Sequence, residues 1–248
     1  MTIKEVFEKF EMLHSYSFST IDGEYPEVRI AHFLTYDDDG LYFQTMKVKP
    51  FYAQLMKTQK LAVCALVADD GSADHDEDGL SYFPPGFFIR VSGDTRCVSL
   101  EELHEKALKA PEKFGPLEKD IERYPTMTTF VLHKFKGELY DYDFEKKNKD
   151  HKLDRSRFAF NKAKYQEPGF SIDKDLCVGC GKCKKVCTFN AIKPGKTYTI
   201  DGSRCDECGS CYSVCPKDAI KAKSPLSKSE KKAIRKSIKE YYKQHPVK

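Results

Sequence analysis

The sequence has no unbroken apolar stretch near the eighteen or so residues that a membrane-crossing helix needs. Residues 1–10 alternate charged and apolar side chains and lack the apolar centre of a signal peptide. A strong excess of one charge is missing too: 42 Lys+Arg against 38 Asp+Glu leaves a formal +4. So small a balance does not call for nucleic acid as a partner. With no export signal, a disulfide framework is not expected either. These absences point to a cytoplasmic chain without membrane spans. Its 248 residues suit one or two domains, and 40% of them are apolar, enough for a core.

What the chain does hold is ten cysteines, unevenly placed. Cys64 and Cys97 stand alone upstream and read as buried apolar thiols. The other eight form two runs. The first is Cys177-Val-Gly-Cys180-Gly-Lys-Cys183-Lys-Lys-Val-Cys187, and the second is Cys205-Asp-Glu-Cys208-Gly-Ser-Cys211-Tyr-Ser-Val-Cys215, followed by Pro216. Each is C-x2-C-x2-C-x3-C, a spacing that wraps three thiolates round one cubane and sets the fourth beyond them on a short helix. Gly179, Gly181 and Gly209 let backbone amides come close to sulfur. The flanks repeat as well. Ile172-Asp173 and Ala191-Ile192 recur as Ile200-Asp201 and Ala219-Ile220, at the same offset of 28 as Cys177 to Cys205. That is an internal duplication, expected to fold as a pseudo-twofold βαβ pair. Zinc sites favour separate C-x2-C pairs, so two runs of four with duplicated flanks point to iron and sulfide.

Residues 169–223 thus resemble the bacterial two-cluster ferredoxin family. The resemblance implies two 4Fe–4S clusters. One would take Cys177, Cys180, Cys183 and Cys215; the other would take Cys205, Cys208, Cys211 and Cys187. Pro216 stands where the family has it, while Thr188 replaces the matching proline of the first run.

Upstream, residues 1–14 read as an amphipathic helix with Ile3, Val6, Phe7, Phe10 and Leu13 on one face. Residues 25–36 and 41–45 read as strands on either side of the turn Asp37-Asp38-Asp39-Gly40. Pro50 opens a helix, residues 61–68 read as a buried strand, and residues 87–98 and 128–144 supply more strands. Ser99 is a candidate N-cap for a helix over residues 100–110. Residues 69–79 read as a solvated loop; its acidic stretch 74–78 is better explained so than as a cation site. Residues 145–169 read as a basic linker, and a Lys-rich tail from Ser227 has helical spacing and a solvated face.

The order of short elements in this region carries a second resemblance. Phe18-Ser-Thr20, Asp22-Gly23 and Pro26-Glu-Val-Arg29 are followed by Asp39-Gly-Leu-Tyr-Phe-Gln-Thr45 and Lys49-Pro-Phe-Tyr-Ala-Gln54. This is similar to the FMN-binding split β-barrel of the pyridoxamine-phosphate oxidase-like family. By that resemblance Arg29, Ile30, Ala31, His32 and Phe33 line the flavin, Gln44 and Thr45 touch its ring or ribityl chain, and Lys49 holds phosphate, with Gln54 a further candidate. Arg29 and Lys49 could pair with a dianionic phosphate. His32 reads first as a packed histidine. Val48-Lys49 stands where true pyridoxamine-phosphate oxidases carry Arg-Lys, so a vitamin B6 oxidase is not expected.

The expected architecture is α+β. A mostly antiparallel split β-barrel spans residues 1–144, a linker 145–168, a duplicated ferredoxin-like domain 169–223, and a basic helix or tail 224–248. Clusters pass one electron at a time and flavin accepts one or two. The expectation is a cytoplasmic oxidoreductase of low-oxygen settings that moves electrons between two clusters and FMN to serve a small-molecule substrate or a redox partner protein. The resemblance implies a homodimer. An electron carrier without its own substrate, or a redox sensor, are the alternatives.

Overall fold

The computed structural model describes residues 1–13, 16–68, 74–75, 81–82, 86–142, 154–164, 169–187, 189–202 and 204–244. It divides into two units: Met1–Lys147 with Ser156–Tyr165, and Asn148–Arg155 with Gln166–Lys248.

The first unit opens with α1 (Ile3–Glu11). Its start is a reciprocal cap: the Glu5 amide donates to Thr2 Oγ1 and the Thr2 amide to Glu5 Oε2. There follow β1 (Tyr16–Asp22), β2 (Tyr25–Ala31), β3 (Thr35–Asp37), β4 (Gly40–Met46), α2 (Pro50–Thr58), β5 (Lys60–Ala68), β6 (Asp74–His75), β7 (Ser81–Tyr82), β8 (Gly86–Cys97), α3 (Leu100–Lys109), α4 (Pro111–Arg123), β9 (Met127–Tyr142) and β10 (Asp154–Ala159). The sheet order is β2-β1-β5-β8-β9-β4-β3, with β10 against β9 and β6 paired with β7 apart from it. Neighbours along the main order run antiparallel.

Three strands separate β1 from β4 in that order, yet Phe18 of β1 and Phe43 of β4 have ring centroids 5.3 Å apart. The sheet is therefore curled round a shared aromatic core of Phe10, Phe18, Phe33, Phe43 and Phe130. Tyr42 and Val131, on the opposite faces of β4 and β9, pack instead with Leu103, Phe114 and Leu117 of α3 and α4.

Several expectations need correction. Residues 25–36 are not one strand: the ladder stops after Ala31, and β2 and β3 end up at opposite ends of the sheet order. Phe33 causes the break, turning into the core with its amide donating to Tyr16 Oη at 2.6 Å. β5 is a strand but only half buried. Leu61, Val63 and Ala65 face the core while Cys64 and Leu66 face out, because the sheet covers one side of it. Cys64 and Cys97 are accordingly exposed rather than buried. His32, expected to be packed, is also exposed. α4 escaped the sequence reading because Pro111, Gly115 and Pro116 mask its helical spacing. Part of the supposed linker is β10, whose Phe158 enters the barrel core. The 69–79 loop, apart from residues 74–75, and Thr188 lie outside the described residues.

The second unit contains β11 (Phe170–Ile172), α5 (Lys182–Lys185), β12 (Ile192–Lys193), β13 (Thr199–Ile200), α6 (Ser210–Val214), β14 (Ile220–Ala222) and α7 (Lys228–Gln244). β11 pairs with β14 and β12 with β13, so each repeat's leading strand is hydrogen-bonded to the other repeat's trailing strand. The duplication is thereby interlocked.

Candidate functional site

The two cysteine loops are held by matching backbone bonds. Asp173 N–H donates to Ala219 O (2.8 Å) and Cys177 N–H to Asp173 O (3.1 Å); 28 residues on, Asp201 N–H donates to Ala191 O (2.8 Å) and Cys205 N–H to Asp201 O (3.0 Å). Gly181 and Gly209 start α5 and α6 at φ +74° and +81°, a conformation that side chains resist. The loops differ one step earlier. Gly179 at φ +67° corresponds to Glu207 at φ +62°. Glu207 takes up this backbone while its carboxylate accepts from the Gly169 amide (2.9 Å) and lies 3.4 Å from Arg155.

The loops line two hollows. One is lined by Cys177, Cys180, Cys183 and Cys215. The other is lined by Cys187, Cys205, Cys208 and Cys211. Each collects three thiols from one run and the fourth from the other. Amides point at the sulfurs: Ala191 N–H at Cys187 Sγ and Ala219 N–H at Cys215 Sγ, both at 3.3 Å, and Glu207 N–H at Cys205 Sγ, 3.4 Å. Four soft thiol donors round each hollow, met by amide donors, suit an iron–sulfur cluster. Burial pushes the Cys211 thiol up to about 12, and the neighbouring Cys205, Cys208 and Cys187 add to it.

Sequence reasoning missed three cationic supports. Arg155, from the presumed linker, is buried and donates to Cys205 O at 2.9 Å. The Lys-rich tail is not wholly solvated. Lys231 is buried, with Nζ 3.0 Å from Asp218 Oδ1 and 3.6 Å from the Tyr212 ring centroid. Arg235 donates to Cys215 O at 3.1 Å and also to Ser213 O. One face of α7 is thus laid against the second cysteine run. A long basic sequence hides this, because only the folded partner shows which lysine loses its water.

In the barrel unit, the structure brings Arg29 and Gln54 together. Arg29 Nη1 donates to Thr20 Oγ1 (2.6 Å) and Nη2 to Gln54 Oε1 (2.8 Å), and the guanidinium lies 4.3 Å from the Phe51 ring centroid. Gln54 Nε2 reaches Asp22 (3.2 Å). Burial lowers the Arg29 pKa, while Glu27 and Asp22 oppose that shift. Thr20, Asp22 and Phe51, read in the sequence only as parts of the motif order, are the supports of this pair. Phe51 sits in the first turn of α2, where Lys49 is the N-cap residue but makes no side-chain cap. Arg29 and Lys49 therefore share the amino end of one helix. The remaining candidates scatter. Thr45 is buried on the core side of β4. Gln44 points the other way, donating to Leu117 O (2.8 Å) and Thr129 Oγ1 (3.1 Å). Phe33 belongs to the core; Ile30 and His32 are exposed, and Ala31 is half-buried.

Residues 170–222 match the family model described as the 4Fe-4S dicluster domain. This part of the chain is a 4Fe–4S dicluster domain. The match covers under half of the chain. No curated protein sequence matches. Solved structures similar to this chain include a NimC/NimA family protein from Clostridium acetobutylicum, 17% identical, spanning 64% of this chain and 92% of that one with a TM-score of 0.44. Another is a putative pyridoxamine 5'-phosphate oxidase from Listeria innocua (16% identical, 54% and 94% covered, TM-score 0.36). A third is a FAD-binding protein from Mesorhizobium loti (14% identical, 55% and 92% covered, TM-score 0.38). A likeness at these TM-scores decides nothing about ligand or activity. No described helix is long and apolar enough to cross a membrane.

Proposed function

We propose that the chain is a flavin and iron–sulfur oxidoreductase, passing single electrons through two 4Fe–4S clusters to or from FMN and serving a small molecule or a redox partner protein in the cytoplasm of cells at low oxygen. The observation that carries it is the pair of hollows, each ringed by three thiols of one run and one of the other. Cys177, Cys180, Cys183 and Cys215 would hold one cluster, and Cys205, Cys208, Cys211 and Cys187 the second. The amides of Ala191, Ala219 and Glu207 offset the negative charge that gathers on sulfur. When bound, clusters carry one electron each and flavin one or two, so the set joins one-electron to two-electron chemistry.

For FMN, support comes from the amino end of α2. Its first turn carries no acidic residue and no side-chain cap, and Arg29 and Lys49 stand beside it. Helix amides and two cations together suit a phosphate. A homodimer has its own support. Val28, Ile30 and Leu66 are 62–69% exposed. Register places Ile30, Ser17 and Cys64 in one row, and Val28, Ser19 and Ala62 in the next, all on the outer face. Such a small-residue surface bearing exposed apolar side chains suits a second copy.

One observation favours a second reading, an electron carrier without flavin: Arg29 is already bonded to Thr20 and Gln54. Anaerobic purification followed by iron assay and flavin extraction separates the two. The proposal expects about eight irons per chain together with FMN, and Lys49→Ala should lower the FMN retained. Eight irons without flavin would leave the carrier reading in its place.

A further inference from the structure

The duplication provides an internal control: the same backbone is built twice, so differences between the two cysteine loops stand out. At the mouth of the hollow holding Cys177, Cys180 and Cys183, Lys182 and Lys217 line the wall. At the mouth of its twin, Asp206 and Glu207 do so. At the 28-residue offset, Val178 is replaced by Asp206, Lys182 by Ser210 and Lys185 by Ser213. Lys184 and Lys185 extend the basic side along α5, and all four lysines are exposed. Among the described residues none of the four has a salt-bridge partner, whereas Lys193, Lys221 and Lys231 of the same unit do. Leu176 and Val178, 42% and 61% exposed, line the same hollow as Lys182 and Lys217. Depth differs as well. Cys205 and Cys211 are buried where Cys177 and Cys183 are half-buried, while Cys180 and Cys208 are exposed alike.

We infer that the Cys177–Cys180–Cys183–Cys215 end of the unit is the port for protein partners, and that the partner docking there is an acidic one-electron carrier protein. Unpaired lysines round a small apolar centre give long-range attraction to an acidic surface and a dry contact once docked. The shallow thiols bring that site closest to the docked carrier. The other hollow has Asp206 and the Arg155-paired Glu207 in place of free lysines, so it offers that partner no such attraction. One electron leaves the reduced carrier and is taken up at the port, or the reverse, with no bond made or broken. This rests on the two-cluster reading above.

The test uses full-length, iron-loaded protein and a small acidic ferredoxin as the probe, with binding followed by calorimetry. Wild type should bind at about 20 mM salt and weaken at least about tenfold by about 300 mM. The variant Lys182→Gln/Lys184→Gln/Lys185→Gln/Lys217→Gln should lose about tenfold or more at low salt. The matching set of Lys→Arg changes should keep binding. Lys4→Gln/Lys57→Gln/Lys109→Gln/Lys119→Gln, equal in charge change, should bind like wild type. The inference is overturned if wild type does not bind, if the first variant binds unchanged, or if the last variant loses as much. Iron content is measured on the same samples. Absence of iron from wild type would strike the two-cluster reading, and the binding result would still judge the docking surface.

Discussion

Among the described residues of the unit that begins at Met1, twenty buried side chains join one core, most of them aromatic or large aliphatic. In the unit that ends at Lys248, the core cluster has four, Ile192, Cys211, Tyr212 and Ile220, and one of those is a thiol. A core of that size cannot by itself hold so short a fold, and small domains of this kind lean on metal. The first unit is organised by apolar burial. The second is organised by ligands, with cations from Arg155 and α7 bracing its cysteine loops.

The sharpest way to break that comparison is to strip the iron. An iron chelator under reducing conditions should expose residues 169–223 to protease while the barrel unit stays resistant, because ligand binding is folding energy in the small unit. Equal survival of both units on a gel would show that the four-residue cluster suffices. A core deletion should act the other way round. Phe18 is fully buried and meets the rings of Tyr16, Phe33, Phe43 and Phe51. Phe18→Ala should destabilise the barrel unit by about 3–5 kcal/mol, read from its thermal transition, with iron content unchanged.

A smaller effect belongs to Arg155. Arg155→Met removes the bond to Cys205 O and the ion pair with Glu207. It should cost about 1–3 kcal/mol, seen as faster amide exchange at residues 205–208 and not in the barrel. The smallest effect is a pH response confined to the barrel. Burial lowers the His133 imidazole below its ordinary 6.5, with Arg96 adding to the shift. The unfolded chain then takes up the proton first, so stability is complete above about pH 6.5 and declines as pH falls below it. The barrel should melt lower at pH 5.5 than at pH 7.5, and His133→Gln should flatten that slope. Asp39, Asp94 and Glu102, whose lysine or arginine partners hold them below the ordinary carboxylate range, lose their pairing only at lower pH.

Signals confined to a few residues were legible in the sequence. The cysteine spacing, the 28-residue repeat, the Asp37–Gly40 turn, Pro50 at the start of α2 and Ser99 as a cap of α3 all depend on neighbours along the chain. Such geometry is set by local backbone sterics and short hydrogen bonds, so residue type and spacing suffice. Tertiary structure alone decided the rest. It turned Cys64 outward, because only the sheet has an inside. It drew Phe33 into the core and split one expected strand into two. It set Arg29 on Phe51 and Gln54, buried Lys231 and gave it Asp218 as a partner, and placed Lys182 and Lys217 round one hollow and Asp206 and Glu207 round its twin. Each of these depends on groups that the fold brings together from well apart in the chain. Burial and charge acquire their energy only when such groups meet.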